Sequence, residues 1–161
     1  MSFKYILIVI SLILIGCDNN MPTSSEQPSK EVHTEVGILN KLISIPAEPI
    51  TVKWEINESK ETGSLRALLK FKDEDKLHIL KNSASFDKLE NDTLDSESCE
   101  QWLPEDAKVG IETKKNGSAY TLIDVIAIQP NLFTQTELSP YVNGSITPLS
   151  GGYILVSLYS M

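Results

Sequence analysis

The stretch ITVKWEIN, residues 50–57, sets Ile50, Val52, Trp54 and Ile56 against Thr51, Lys53, Glu55 and Asn57. Strict alternation is the period of a strand with one face on a core and the other in water. Pro46 and Pro49 precede it and mark an irregular lead-in. Beyond the polar loop 57–64 the period repeats, with Leu65, Ala67, Leu69 and Phe71 against Arg66, Lys70 and Lys72. Two such runs across one short polar loop predict antiparallel neighbours.

Working outward, the period changes at Asp73. That residue can cap a helix whose first turn carries Glu74 and Asp75, favourable at the positive end of the helix dipole. Leu77, Leu80 and Ala84 are expected to form its inner face. A second short helix is expected from Ser96, with Cys99, Trp102 and Leu103 three and four apart and Pro104 ending it. Further on, Asn116-Gly117 stands between the runs 110–113 and 119–128, a hairpin signal because a two-residue turn favours such residues at positive φ. Ser150-Gly151-Gly152 separates a short run around Ile146 from Tyr153–Tyr159, where both alternating sets are largely apolar. A strand apolar on both faces is a central one. Residues 129–143, with Pro130 and Pro140, read as a long connection.

Strands, two short helices, then strands again, without internal repeats, predict an α+β domain: one antiparallel sheet with two short helices packed on it. Its limits are expected at 36–161. Residues 18–31, DNNMPTSSEQPSKE, hold two prolines and one apolar residue, Met21. Such a segment buries too little to order itself. It is expected to be a flexible tether of about fourteen residues, with a coil dimension of roughly 20 Å.

The first sixteen residues carry one charge, Lys4, followed by an apolar run from Tyr5 to Ile10 and a second from Leu12 to Ile15, and the chain turns polar at Asp18. Basic start, short apolar core and small residue before a cut is the order of a secretory signal, and the core is shorter than the ~20 residues a membrane span needs. Leu14-Ile15-Gly16-Cys17 resembles the lipobox of bacterial lipoproteins, with leucine three residues before the cysteine and a small residue just before it. The resemblance covers only the first twenty or so residues and implies processing, not activity. It implies a signal peptide over 1–16, cleavage between Gly16 and Cys17, a diacylglyceryl group on the Cys17 thiol and, in many members of that class, acylation (palmitate among the chains) of the new amino group. One buried chain holds marginally, whereas two or three hold stably, so the domain 36–161 would hang from a membrane through lipidated Cys17 and the tether 17–35. Asp18 resembles the signal by which enteric lipoproteins are retained at the inner membrane, facing the periplasm.

Composition sets further bounds. The chain has 161 residues, with 14 basic and 22 acidic side chains and a net charge of −8. Removal of residues 1–16 takes away Lys4, leaving 13 basic against 22 acidic residues and a charge near −9 on 145 residues, enough for one domain with a real core. So acidic a surface repels phosphate backbones, and no basic stripe offsets it; nucleic acid is not an expected partner. With Cys17 lipidated, Cys99 has no disulfide partner in the chain. A free cysteine packs as a small hydrophobe, so Cys99 reads as a buried helix thiol.

No Gly-rich phosphate loop, HExxH, GxSxG or CxxC occurs. Two histidines, His33 beside the tether and His78 on the helical run, do not make a zinc set without carboxylates. Residues 87–100 hold Asp87, Glu90, Asp92, Asp95, Glu97 and Glu100 but lack the glycine and spacing of a calcium loop, so a solvated acidic loop is expected. Asn57, Asn91, Asn116 and Asn143 head Asn-x-Ser/Thr triplets and read as turn markers. These observations lead to the expectation of a non-catalytic envelope lipoprotein, a binding or protective module for an envelope protein or wall component. No catalytic residue, metal or cofactor is assigned. The alternative is a carboxylate hydrolase of cell-wall sugar, using Glu97 or Glu100 beside Trp102, since an apolar neighbour raises a carboxyl pKa.

Overall fold

A computed structural model of the chain describes residues 31–58, 62–83, 93–95, 100–110, 112–116, 119–123, 125–136 and 140–160. In chain order these form a one-turn helix α1 (Leu39–Leu42), strands β1 (Thr51–Glu58) and β2 (Gly63–Lys70), helix α2 (Asp73–Ser83), strands β3 (Thr93–Asp95), β4 (Glu112–Asn116) and β5 (Ala119–Ile123), and a final pair β6 (Asn143–Pro148) and β7 (Tyr153–Tyr159). The α+β class expected from the alternating runs is the class observed: an antiparallel sheet with short helices in one small domain.

The main sheet has the order β1-β2-β7-β6, with every pair antiparallel. β1 and β2 meet as the alternation requires, with Trp54 opposite Ala67 and Ile56 opposite Leu65. β7 lies inside the sheet between β2 and β6, in accord with its two apolar faces. Residues Ile154, Val156 and Leu158 enter one core with Leu39, Ile43, Val52, Trp54, Leu65, Leu69, Phe71, Ile79 and Phe133. The alternate residues Tyr153 and Leu155 enter a second core with Leu68, Trp102, Leu103, Ala107, Val125 and Leu149. Helices α1 and α2 thus cover one face of the sheet, and the 100–110 segment covers part of the other.

That second layer corrects the expectation that Lys53, Glu55 and Arg66 face open water. Lys53 Nζ donates to the Gln101 carbonyl at 2.8 Å and lies 4.8 Å from the centre of the Trp102 ring, while Arg66 stands over the same ring at 5.8 Å. Glu55, 5% exposed, is 3.7 Å from the Arg66 guanidinium. A cation over tryptophan is worth ~0.5–2 kcal/mol, so the polar side of β1 and β2 is used as packing.

Helix α2 begins one residue earlier than its acidic turn suggests. The Lys76 N–H donates to the Lys72 carbonyl at 2.9 Å, making Lys72 the N-cap and placing Asp73, Glu74 and Asp75 in the first turn. Its inner face is Ile79 and Ser83, with Lys76 and Leu80 half-buried beside them. Leu77, expected inside, is 68% exposed, and Ala84 lies outside the described residues. The helix is rotated because Ile79 is the residue that reaches the first core, and Ser83 follows four residues on, its hydroxyl donating to the Ile79 carbonyl at 2.9 Å.

Two further differences concern strands. β3 runs through the acidic stretch expected to be a solvated loop and pairs with β5, giving a separate sheet of order β3-β5-β4. Partner strands, rather than composition, settle that backbone. The β4–β5 pairing sets Asn116 opposite Ala119, so Asn116 is the last residue of β4, while Gly117 lies outside the described residues. At the β6–β7 hairpin the expected glycine turn is present. Gly152 has φ +84, and a Cβ there would sit 2.5 Å from the Phe71 carbonyl oxygen. The close approach lets Phe71 N–H donate to the Gly152 carbonyl at 2.9 Å.

Candidate functional site

An open cleft of about 460 Å³ lies between α2, the turn at Val109-Gly110, the extended segment 125–128 and the β6–β7 hairpin. Hydrogen bonds hold the walls together. Ile128 and Ile146 exchange N–H···O bonds at 2.9 Å, which ties segment 125–128 to β6. The Leu149 N–H donates to the Tyr153 carbonyl at 2.9 Å, and the Ser150 hydroxyl donates to the Val109 carbonyl, which holds the turn to the hairpin. Leu80, Val125, Ile126, Ile128, Pro148 and Leu149 supply an apolar lining. Ile126 and Val109 are 47% and 65% exposed at the rim.

Lys76 is the single charged residue among the described lining residues. Its ammonium donates to the Leu149 carbonyl across the cleft. Burial lowers its pKa from the ordinary 10.5, and the nearby Asp73 carboxylate opposes that shift. An ammonium has three donors, so one hydrogen bond leaves it able to hold an acid group as well. A volume in the range of small-ligand sites, apolar walls and one placed polar group form the usual pattern of such a site. Lys76 was not singled out in the sequence, although its spacing from Ile79 and Leu80 places a lone cation within the apolar stripe of the helix.

No candidate site residue named from the sequence is among the described lining residues. Gly16, Cys17 and Asp18 lie outside the described residues, as do Cys99, Asp87, Glu90, Asp92, Glu97 and Asn91. Asp95 ends β3, and Glu100 is exposed and helical, while the expected helix start at Ser96 lies outside the described residues. Trp102 is 6% exposed, its ring engaged by Lys53 and Arg66, so it packs rather than presenting a face to a sugar. His78 is exposed on α2. Asn57, Asn116 and Asn143 stand at strand ends instead of within loops. His33 is not a loose residue beside a tether: it is bridged to Trp54 on the outer edge of β1 and stacked on its ring.

Among the described residues, no group of three His, Cys, Asp or Glu side chains is close enough to hold a metal ion, and no helix is long and apolar enough to cross a membrane. Neither known protein families, nor curated proteins, nor solved structures give a match to this chain.

Proposed function

We propose that the chain is a bacterial lipoprotein of the cell envelope, lipid-anchored at Cys17, whose domain is a non-catalytic binding or protective module. The observation that carries this reading is Leu14-Ile15-Gly16-Cys17 at the end of a short apolar core that opens with Lys4. The thiol accepts the lipid, Gly16 gives the peptidase access to the backbone, and the polar residues from Asp18 onward hold the domain a short distance above the headgroups. In a Gram-negative envelope Asp18 favours the inner membrane, with the domain in the periplasm. A mature charge near −9 would steer a basic envelope protein toward this surface.

Mass spectrometry of the protein from its own membranes tests the reading. The expected N-terminus is Cys17 carrying diacylglycerol, and Cys17→Ser should leave the precursor uncut and unlipidated. An unmodified Cys17, or an N-terminus elsewhere, overturns the anchor. The binding role is tested separately by titration with a cationic lysozyme-like protein and a neutral protein of similar size. A preference that disappears at high salt supports steering, and equal binding at low salt removes it.

A further inference from the structure

The cleft over Lys76 is not used by the anchor at Cys17, and its chemistry stands independently of that reading. We infer that it binds a single-chain carboxylate amphiphile, the acid group on Lys76 Nζ and the hydrocarbon along Leu80, Ile126, Ile128 and Leu149.

Charge complementarity selects this class. A lone cation in an apolar lining suits one anionic head on an apolar body. The molecule as a whole, at net charge −8, repels anions at long range. A small polyanion gains nothing here that offsets this repulsion. A monoanion whose affinity comes mostly from buried methylenes does, each methylene raising affinity about fourfold. Lys76 is half-buried and already placed by its bond to the Leu149 carbonyl, so little side-chain freedom is lost when an acid joins it. Desolvation lowers its pKa, and an adjacent carboxylate would restore it, which makes the charged pair mutually favourable. Val109 and Ile126, exposed at the rim, give the emerging chain an apolar exit.

Photolabelling of the full chain in phosphatidylcholine nanodiscs tests the inference. The probes are a twelve-carbon carboxylate with a terminal diazirine and the matching alcohol, and the labelled peptides are mapped by mass spectrometry. The expected result is label in the peptides holding Leu80, 125–128 and 149–150, with the acid at least about fivefold above the alcohol, as a charge-assisted bond predicts. Lys76→Met should remove the acid's advantage while leaving alcohol labelling in place. Ile126→Asp, a substitution at a half-exposed rim, should suppress both without loss of circular dichroism. Equal labelling by acid and alcohol, label spread evenly over the chain, or an undiminished acid preference in Lys76→Met would each overturn it. Loss of lipid at Cys17 would leave these outcomes unchanged, so failure of the anchor and failure of the cleft are separable.

Discussion

The imidazole of His33 stacks on the indole of Trp54 with ring centres 4.3 Å apart, and the same two residues exchange both backbone hydrogen bonds, at 2.8 and 2.9 Å. Trp54 is 1% exposed and its Nε1 donates to the Glu35 carbonyl at 2.8 Å. The lead-in segment is therefore fastened to the edge of the sheet, where an open row of backbone donors would otherwise invite pairing with another chain.

His33→Ala keeps the backbone bridge and removes the stack. A loss of about 0.5–1.5 kcal/mol in urea unfolding is expected, together with faster amide exchange at His33 and Trp54. Stability and exchange equal to the parent would show that the stack contributes nothing.

The rotation of α2 is open to a paired test. Ile79→Ala should cost about 2–5 kcal/mol, since it empties space in the first core. Leu77→Ala, on a residue mostly in water, should change stability by less than about 0.5 kcal/mol. If Leu77→Ala proved the more harmful, the helix would have to turn its other face inward.

Gly152→Ala should be severe, at least about 2 kcal/mol, because positive φ is combined with a backbone oxygen 2.5 Å from the new Cβ. Gly110→Ala is the control. It has φ +77 but open space around the position, so only the conformational term of about 1–2 kcal/mol applies. Equal losses at the two sites would deny the close approach of the β6–β7 turn to Phe71.

Lys70 and Asp106 pair at 3.0 Å, joining β2 to the 104–110 turn. Their hydrogen bond raises the Lys70 pKa above 10.5, with partial burial opposing and Tyr153 assisting. The same bond lowers the Asp106 pKa below 3.8. For Asp106 the linked stability is present above pH 3.8 and is lost as pH falls through the lower folded value. For Lys70 it is present below pH 10.5 and is lost as pH rises through the higher folded value. The difference between parent and Asp106→Asn should thus be flat between those limits and shrink outside both, and it should be small, since both groups meet solvent. A difference peaking near neutrality would contradict the pairing.

Much of the sheet was legible because alternation reports burial directly: β1 and β2 follow from Trp54 and Leu69, and β7 from two apolar sets side by side. Residue period does not say which polar residues a later segment will cover, and so Glu55 and Lys53 read as solvated until residues 100–110 are placed on them. Helix α1 is a single turn, too short for a periodic signal. In α2 the apolar residues Leu77, Ile79 and Leu80 span too wide an arc to fix one inner face, and tertiary packing selects Ile79. Lys76 was illegible as a site residue for a related reason: its partner is a carbonyl on a distant hairpin, at Leu149.

The place of β7 has a bearing on timing. Leu65 finds its partner in Leu158, and Ser64 in Tyr159, so β2 completes its hydrogen bonding only with a strand from far along the chain. The loop-closure entropy of that pairing must be met before either core is whole. Any process that delivers this polypeptide from its N-terminus onward, synthesis or passage through a narrow channel, therefore handles an open β1–β2 hairpin for most of its course, and the sheet closes only after β7 has emerged.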